Sequence, residues 1–254
     1  MSARPAPALR SVAALTALEL RLAARRGENI LVTLVIPVAV LLFFGGTSVV
    51  SFDGPAARTL VPGTIALGII AAGLVNLGIA TAYERHYGVL KRLGGAPLPN
   101  GAFLAAKLAA VLVLEVLQVV LLVGIAAAVF GWAPGPAWSP ALLVLVVLLG
   151  TAAFVGLGLL LAGALRAEAV LALANGLFLG FLLLGGVIVA VEQLPAFLRP
   201  VAAFLPSAAL VDLLRFALDS GVTSPIPDPG PPLAILGAWT VGAAAVVART
   251  FRWD

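Results

Sequence analysis

The sequence predicts an all-α integral membrane protein with six transmembrane helices. Three observations predict it. Of 254 residues, 62% are hydrophobic and the mean hydropathy is +1.17, whereas a soluble domain is about 45–50% apolar. Only 10% are charged, and they fall between apolar runs of roughly 20 residues, the length that crosses a hydrocarbon core as a helix. These runs lack the alternation of a β-barrel strand, and an apolar helix satisfies its own backbone in lipid.

Composition also excludes chemistry. There is no cysteine, so disulfides, thiolate metal sites and cysteine nucleophiles are ruled out. The net charge of +4 does not imply nucleic acid, because the basic residues sit in short loops. There they set topology and meet anionic membrane lipids. A cleavable signal peptide is not expected, because Arg10, Glu19, Arg21, Arg25 and Arg26 interrupt the required apolar core.

Residues Ala8 to Arg26 are expected to form an interfacial helix, within an N-terminal segment 1–28 that precedes the six-span domain 29–254. Arg10, Arg21 and Arg25 recur at spacings of eleven and four and share a face, while Leu9, Val12, Leu15, Leu18 and Leu22 supply apolar surface. Glu19 falls within the apolar sector.

The first span is expected at 30–50, with Pro37 inside it, and the second at 60–82, carrying Asn76 and the glycines Gly63, Gly68, Gly73 and Gly78. The third covers 102–130. Trp132 and Trp138 then flank a Pro/Gly turn, as interfacial aromatics do. The fourth span, 140–165, turns back through Arg166, Ala167 and Glu168 into the fifth, 170–191, an antiparallel hairpin. Gly176 and Gly180 in the fifth allow close helix approach, either within one subunit or at a dimer seam. Ala196–Leu205 and Ser207–Leu218 are too short to cross and are expected as amphipathic helices that lie at or dip into the outer surface, before a sixth span at 233–248.

Counting fixes the expected orientation. With both termini cytoplasmic, Arg4, Arg10, Arg21, Arg25, Arg26, Arg85, Lys91, Arg92, Lys107, Arg166, Arg249 and Arg252 lie inside, twelve against only Arg58, Arg199 and Arg215 outside. This is a strong positive-inside bias.

Catalytic constellations are missing. His86 is the single histidine, so no triad or His-based zinc site forms within one chain. A P-loop needs Gly-Lys-Ser/Thr, but the two lysines follow Leu90 and Ala106. Lys107, near a span end, can snorkel to water.

Glu115 lies midway along the third span, with Gln118 one turn on. A central charge costs about 2.5–3.5 kcal/mol on insertion scales. Fifteen Leu, Val, Ile or Phe between Leu108 and Phe130, each worth roughly 0.3–0.6 kcal/mol, outweigh it. Glu115 must face protein or water. It either lines a substrate path or subunit interface, or is a protonated glutamate bonded to a neighbour such as Asn76 or Asn175.

The most charged stretch runs from Tyr83 to Leu98, where Glu84, Arg85, His86, Lys91 and Arg92 gather between two apolar runs. As a helix it puts Tyr83, Tyr87 and Leu90 on one side, with Gly94, Gly95 and Pro97 ending it. By composition alone it is a solvated loop that fixes topology.

Its motif says more. Glu84-Arg85-x-x-Gly88-Val89-Leu90-Lys91-Arg92-Leu93, followed by Pro97-Leu98, resembles the type-2 permeases of ATP-binding-cassette exporters. So does Phe204-Leu205-Pro206-Ser207-Ala208, leading through Leu210-Val211-Asp212 to Leu214-Arg215, and the plan agrees along nearly the whole chain.

The resemblance implies that Tyr83, Glu84, Arg85, Tyr87, Gly88, Leu90, Lys91, Arg92 and Leu93 form a coupling helix seated in a separate ATPase, with Arg10, Arg21, Arg25 and Arg26 on a connecting helix beside it. It implies a second permease chain, alike or different, around a central path in a bacterial cytoplasmic membrane. ATP and magnesium are then expected on the partner ATPase, with no cofactor in this chain. Drug, lipid or glycan-like cargo all fit. An ion-coupled secondary transporter and a non-transporting membrane scaffold remain the alternatives.

Overall fold

The computed structural model describes residues 8–25, 31–47, 49, 54–94, 100–188, 191–219 and 228–250. Most of these residues are helical, with no strand among them. Helix α1 (Ala8–Arg25) precedes a π-helical segment, Leu31–Val35, which leads into α2 (Ile36–Gly46). Next come α3 (Ala56–His86), α4 (Val89–Gly94), α5 (Asn100–Phe130), α6 (Pro140–Ala164) and α7 (Ala167–Leu184). The short α8 (Arg199–Ala203) and α9 (Pro206–Leu218) precede α10 (Gly230–Thr250).

Among the described residues, five helices are long and apolar enough to cross a membrane: α3, α5, α6, α7 and α10. The expected first span is shorter than 30–50. Its eleven-residue helix ends at Gly46, where Thr47 turns extended at φ −123° and ψ 162°. The expected fifth span is also cut back, to Leu184, because Gly185 leaves the helix and Gly186 takes φ 71°. The two-residue link between α6 and α7 forms the predicted hairpin. Ser139 caps α6 by accepting from the Leu142 N–H at 3.3 Å.

Helix α3 is the mast of the bundle. Its apolar window is 83% buried, against 22% for α7 and for α10. The row of glycines explains how neighbours come so close. A Cβ on Gly73 would lie 2.8 Å from the Val155 nitrogen, and one on Gly158 of α6 would lie 2.5 Å from the Gly73 carbonyl oxygen. At Gly68 a Cβ would overlap the Gln118 side chain of α5. Between these contacts, α3 passes through a second π-helical segment, Ala71–Leu77.

The packing refines three expectations. Helix α9 dips into the bundle: twelve of its thirteen residues are buried, and Leu210 packs against Gly150. It can enter the core because Arg215 and Asp212 pair with one another at 3.1 Å, and Arg215 also donates to the Gly186 carbonyl at 2.9 Å. Burial pushes the Asp212 carboxyl up from its ordinary pKa, despite the opposing pull of Arg215. Trp132 is packed into the core rather than spread at an interface, whereas Trp138 is exposed. Finally, Gly176 and Gly180 meet no other part of the described chain within 4 Å, so the described residues offer them no close packing within one subunit.

Candidate functional site at the basic end of the bundle

The charged segment is not a separate helix after a span. Helix α3 continues through Glu84 and Arg85 to His86, and the chain then breaks at Gly88, whose φ of 69° favours glycine. Helix α4 follows as a new turn. Tyr83 and Tyr87 do share a side, stacked with ring centroids 6.1 Å apart, but Leu90 belongs to the other side and is fully buried.

The segment therefore has an inner and an outer surface. On the inner side, the Arg85 guanidinium donates to the carbonyls of Gly163 and Leu165, the latter at 2.7 Å. These groups stand at the end of α6, where a helix leaves its last carbonyls without internal partners. Glu84 turns inward too, its Oε2 lying 2.9 Å from Lys107 Nζ. On the outer side stand His86, Tyr87, Val89, Lys91 and Arg92, all exposed. The side chain of Leu93 and all of Arg26, Pro97 and Leu98 lie outside the described residues.

Helix α1 packs along α5, with the Thr16 hydroxyl 3.4 Å from the Ala106 carbonyl. Arg10, Arg21 and Arg25 face outward, as an interfacial helix requires. Glu19, anomalous in the apolar sector, lies on the packed side, 3.0 Å from Lys107 Nζ. Lys107 is thus no snorkelling residue: it is 2% exposed and held by carboxylates of two other elements. Against this triad lies a cavity of about 60 Å³, lined also by Thr33, Asn76 and the apolar Leu77 and Leu114. Asn76 Nδ2 donates to Thr33 Oγ1 at 2.6 Å, joining the two π-helical segments across it.

Along the chain, then, a basic interfacial helix, a helix-ending charged turn and the α9 motif are all present. Residues 10–218, from the first turn of α1 to the last residue of α9, match the family described as "ABC-2 type transporter". The chain belongs to that family. The ABC-2 chain is also 27% identical over 201 residues, 74% of its own length and 78% of the other's, to "Putative transport permease YvfS" of Bacillus subtilis (strain 168). It is a multi-pass membrane protein and a transport permease.

Inside the ABC-2 bundle, the four polar residues singled out from the sequence do not form one site. Glu115 and Gln118 face inward together: the Thr151 hydroxyl of α6 donates to Glu115 Oε2, and Gln118 Nε2 donates to the Thr64 carbonyl of α3 at 3.3 Å. Their Oε1 atoms are buried without a hydrogen-bond partner among the described residues. Asn76 instead joins the cavity, and Asn175 is exposed, bonded to its own helix at the Leu171 carbonyl. Glu115 therefore bonds to neither asparagine.

Sequence reasoning missed Thr33, Thr64, Thr151 and Lys107. Threonines are common in apolar helices, so only their partners distinguish these. For Lys107 a signal existed: Glu19 was left without a reason on the apolar side of α1.

Proposed function

We propose that this chain is the membrane subunit of an ATP-driven exporter, coupled to separate ABC ATPase subunits and paired with a second permease chain. One observation carries the reading: the outward-facing turn Tyr87–Arg92 follows directly on the end of the central helix α3. An ATPase seated on Tyr87, Val89, Lys91 and Arg92 would push directly on the most buried helix of the bundle. The ABC-2 family is one whose permeases work with such ATPases.

In this reading the basic end, with both termini, is cytoplasmic, as the positive-inside count supports. Residues 1–28 act as a connecting segment and 29–254 as the permease domain. ATP and magnesium stay on the ATPase, and closure of two ATPases tilts α3 and opens a path outward for a drug, lipid or glycan-like cargo. The bare faces of Gly176 and Gly180 support pairing with a second chain.

The test is co-purification with the ATPase encoded nearest to it. The unaltered chain should capture an ATPase and stimulate its hydrolysis. Lys91→Glu with Arg92→Glu should abolish capture while the permease still folds. Capture unaffected by the reversal would remove this surface from the interface, and no capture at all would sink the ATP-driven reading.

A further inference from the structure

Lys107 brings three distant parts of the chain onto one ammonium. Its Nζ lies 3.0 Å from Glu19 of α1 and 2.9 Å from Glu84 of α3, with the Phe103 ring centroid of its own helix 5.0 Å away. A lysine near a span end ordinarily extends toward water; this one is turned inward, where an ammonium is tolerated only when paired.

Stability alone is a weak reason for such an arrangement, since replacing a buried ionic triad with neutral groups of similar size is often harmless. What a triad supplies is registration of the elements that carry its members. Here those elements are the N-terminal helix, the helix that ends in the charged turn, and a span that runs the depth of the bundle. The adjoining cavity is lined by Asn76 and Thr33 as well as the triad.

We propose that Lys107 is a positioning residue: it clamps α1 and the end of α3 onto α5, so that a displacement of the Tyr87–Arg92 turn reaches α1 and the α5 span as one body. The proposal rests on the ATPase-coupling reading. It predicts that breaking the clamp separates ATPase binding from ATPase stimulation, because the exposed docking residues are untouched.

The informative variant is Glu19→Gln with Lys107→Met. Glu19, Lys107 and Glu84 carry −1, +1 and −1; after the change only the −1 of Glu84 remains, so the net charge is the same. Neither altered residue belongs to the exposed turn. In the permease–ATPase complex reconstituted in liposomes, three quantities are read: thermal stability, ATPase retained per permease, and permease-dependent ATP hydrolysis. The double variant, which leaves the Glu84 carboxylate without its ammonium, should melt lower but keep the second quantity and lose about fivefold or more of the third, the size of a typical coupling. Lys107→Arg, which keeps the charge and the reach, should retain most of the stimulation. Full stimulation in the double variant overturns the clamp and leaves the coupling reading intact. Failure of the unaltered chain to bind or stimulate any ATPase overturns the coupling reading, and the clamp's role with it. Should the double variant not fold, Glu19→Gln alone, which removes one arm, decides the matter: undiminished stimulation overturns the proposal.

Discussion

The guanidinium of Arg85 donates to the carbonyl oxygen of Leu165 at 2.7 Å and to that of Gly163, so the end of α3 is bolted to the last turn of α6. Arg85 thus spends its charge on helix-end carbonyls rather than on an external partner. Its neighbours Lys91 and Arg92 are exposed and have no such anchor among the described residues. Three basic residues of one motif therefore divide into one that holds the motif and two that can be offered outward.

Arg85→Gln should accordingly destabilise the permease by about 2–4 kcal/mol, since hydrogen bonds from a charged donor are each worth roughly 1.5–3 kcal/mol. Arg85→Lys should recover only part, because an ammonium lacks the fork that spans two carbonyls. Lys91→Glu and Arg92→Glu should stay within about 0.5 kcal/mol of the unaltered chain, as surface changes do. Thermal unfolding of the four variants in one detergent checks the order.

The crossing of α3 and α6 depends on missing side chains. A Cβ on Gly158 would approach the Gly73 carbonyl oxygen to 2.5 Å and the Leu74 carbonyl oxygen to 3.2 Å. Neither helix backbone can yield cheaply, so Gly158→Ala should cost about 1–3 kcal/mol, the range of overpacked cores. Gly176→Ala, in open space, should be neutral or slightly stabilising, because alanine is the better helix former. If a second chain seats on α7, Gly176→Ile with Gly180→Ile should leave the monomer's melting unchanged and reduce cross-linked pairs in membranes.

The spans were legible because burial in lipid demands long apolar runs, and their ends are written in prolines, glycines and charges. The expected span Pro140–Leu165 lies within one residue of α6, and the expected helix Ala8–Arg26 within one of α1. The ends of helix α9 are legible, since Ser207–Leu218 is expected and Pro206–Leu218 is found, but its depth of burial is not. Asp212 and Arg215 look like solvated polar residues, yet they satisfy one another inside the bundle. The same blindness hid the Lys107 triad: local sequence says that a charge exists, but not which distant element will meet it. The π-helical segments left no pattern at all, because a π turn changes the backbone without changing the apolar composition around it.

Thr151 and Glu115 allow a direct test of the buried polar centre. Glu115 Oε1 already lacks a partner among the described residues, and Oε2 depends on the Thr151 hydroxyl. Thr151→Val removes that donor and leaves the carboxyl unserved, which should cost about 1–3 kcal/mol. Glu115→Gln keeps the shape and can donate to Thr151, so assembly should survive. Transport by Glu115→Gln then separates a path residue from a packing one: unchanged kinetics for several cargoes would assign Glu115 to packing.

Asp212 should impose a pH dependence on stability from the opposite end of the bundle. It lies outside the five crossing helices, and burial raises its carboxyl pKa, with Glu192 adding to the rise and the 3.1 Å contact with Arg215 opposing it. Burial is the larger effect. The folded chain therefore holds the Asp212 proton to higher pH than the unfolded chain does. Below the ordinary carboxylate range both states are protonated and the contribution is fully present; as pH rises through the displaced pKa, it is lost. Asp212→Asn cannot ionise, and its side-chain oxygen can still accept from Arg215. Melting temperatures across a pH series should therefore fall more steeply with rising pH for the unaltered chain than for Asp212→Asn. Parallel profiles would mean that the Arg215 contact cancels the effect of burial.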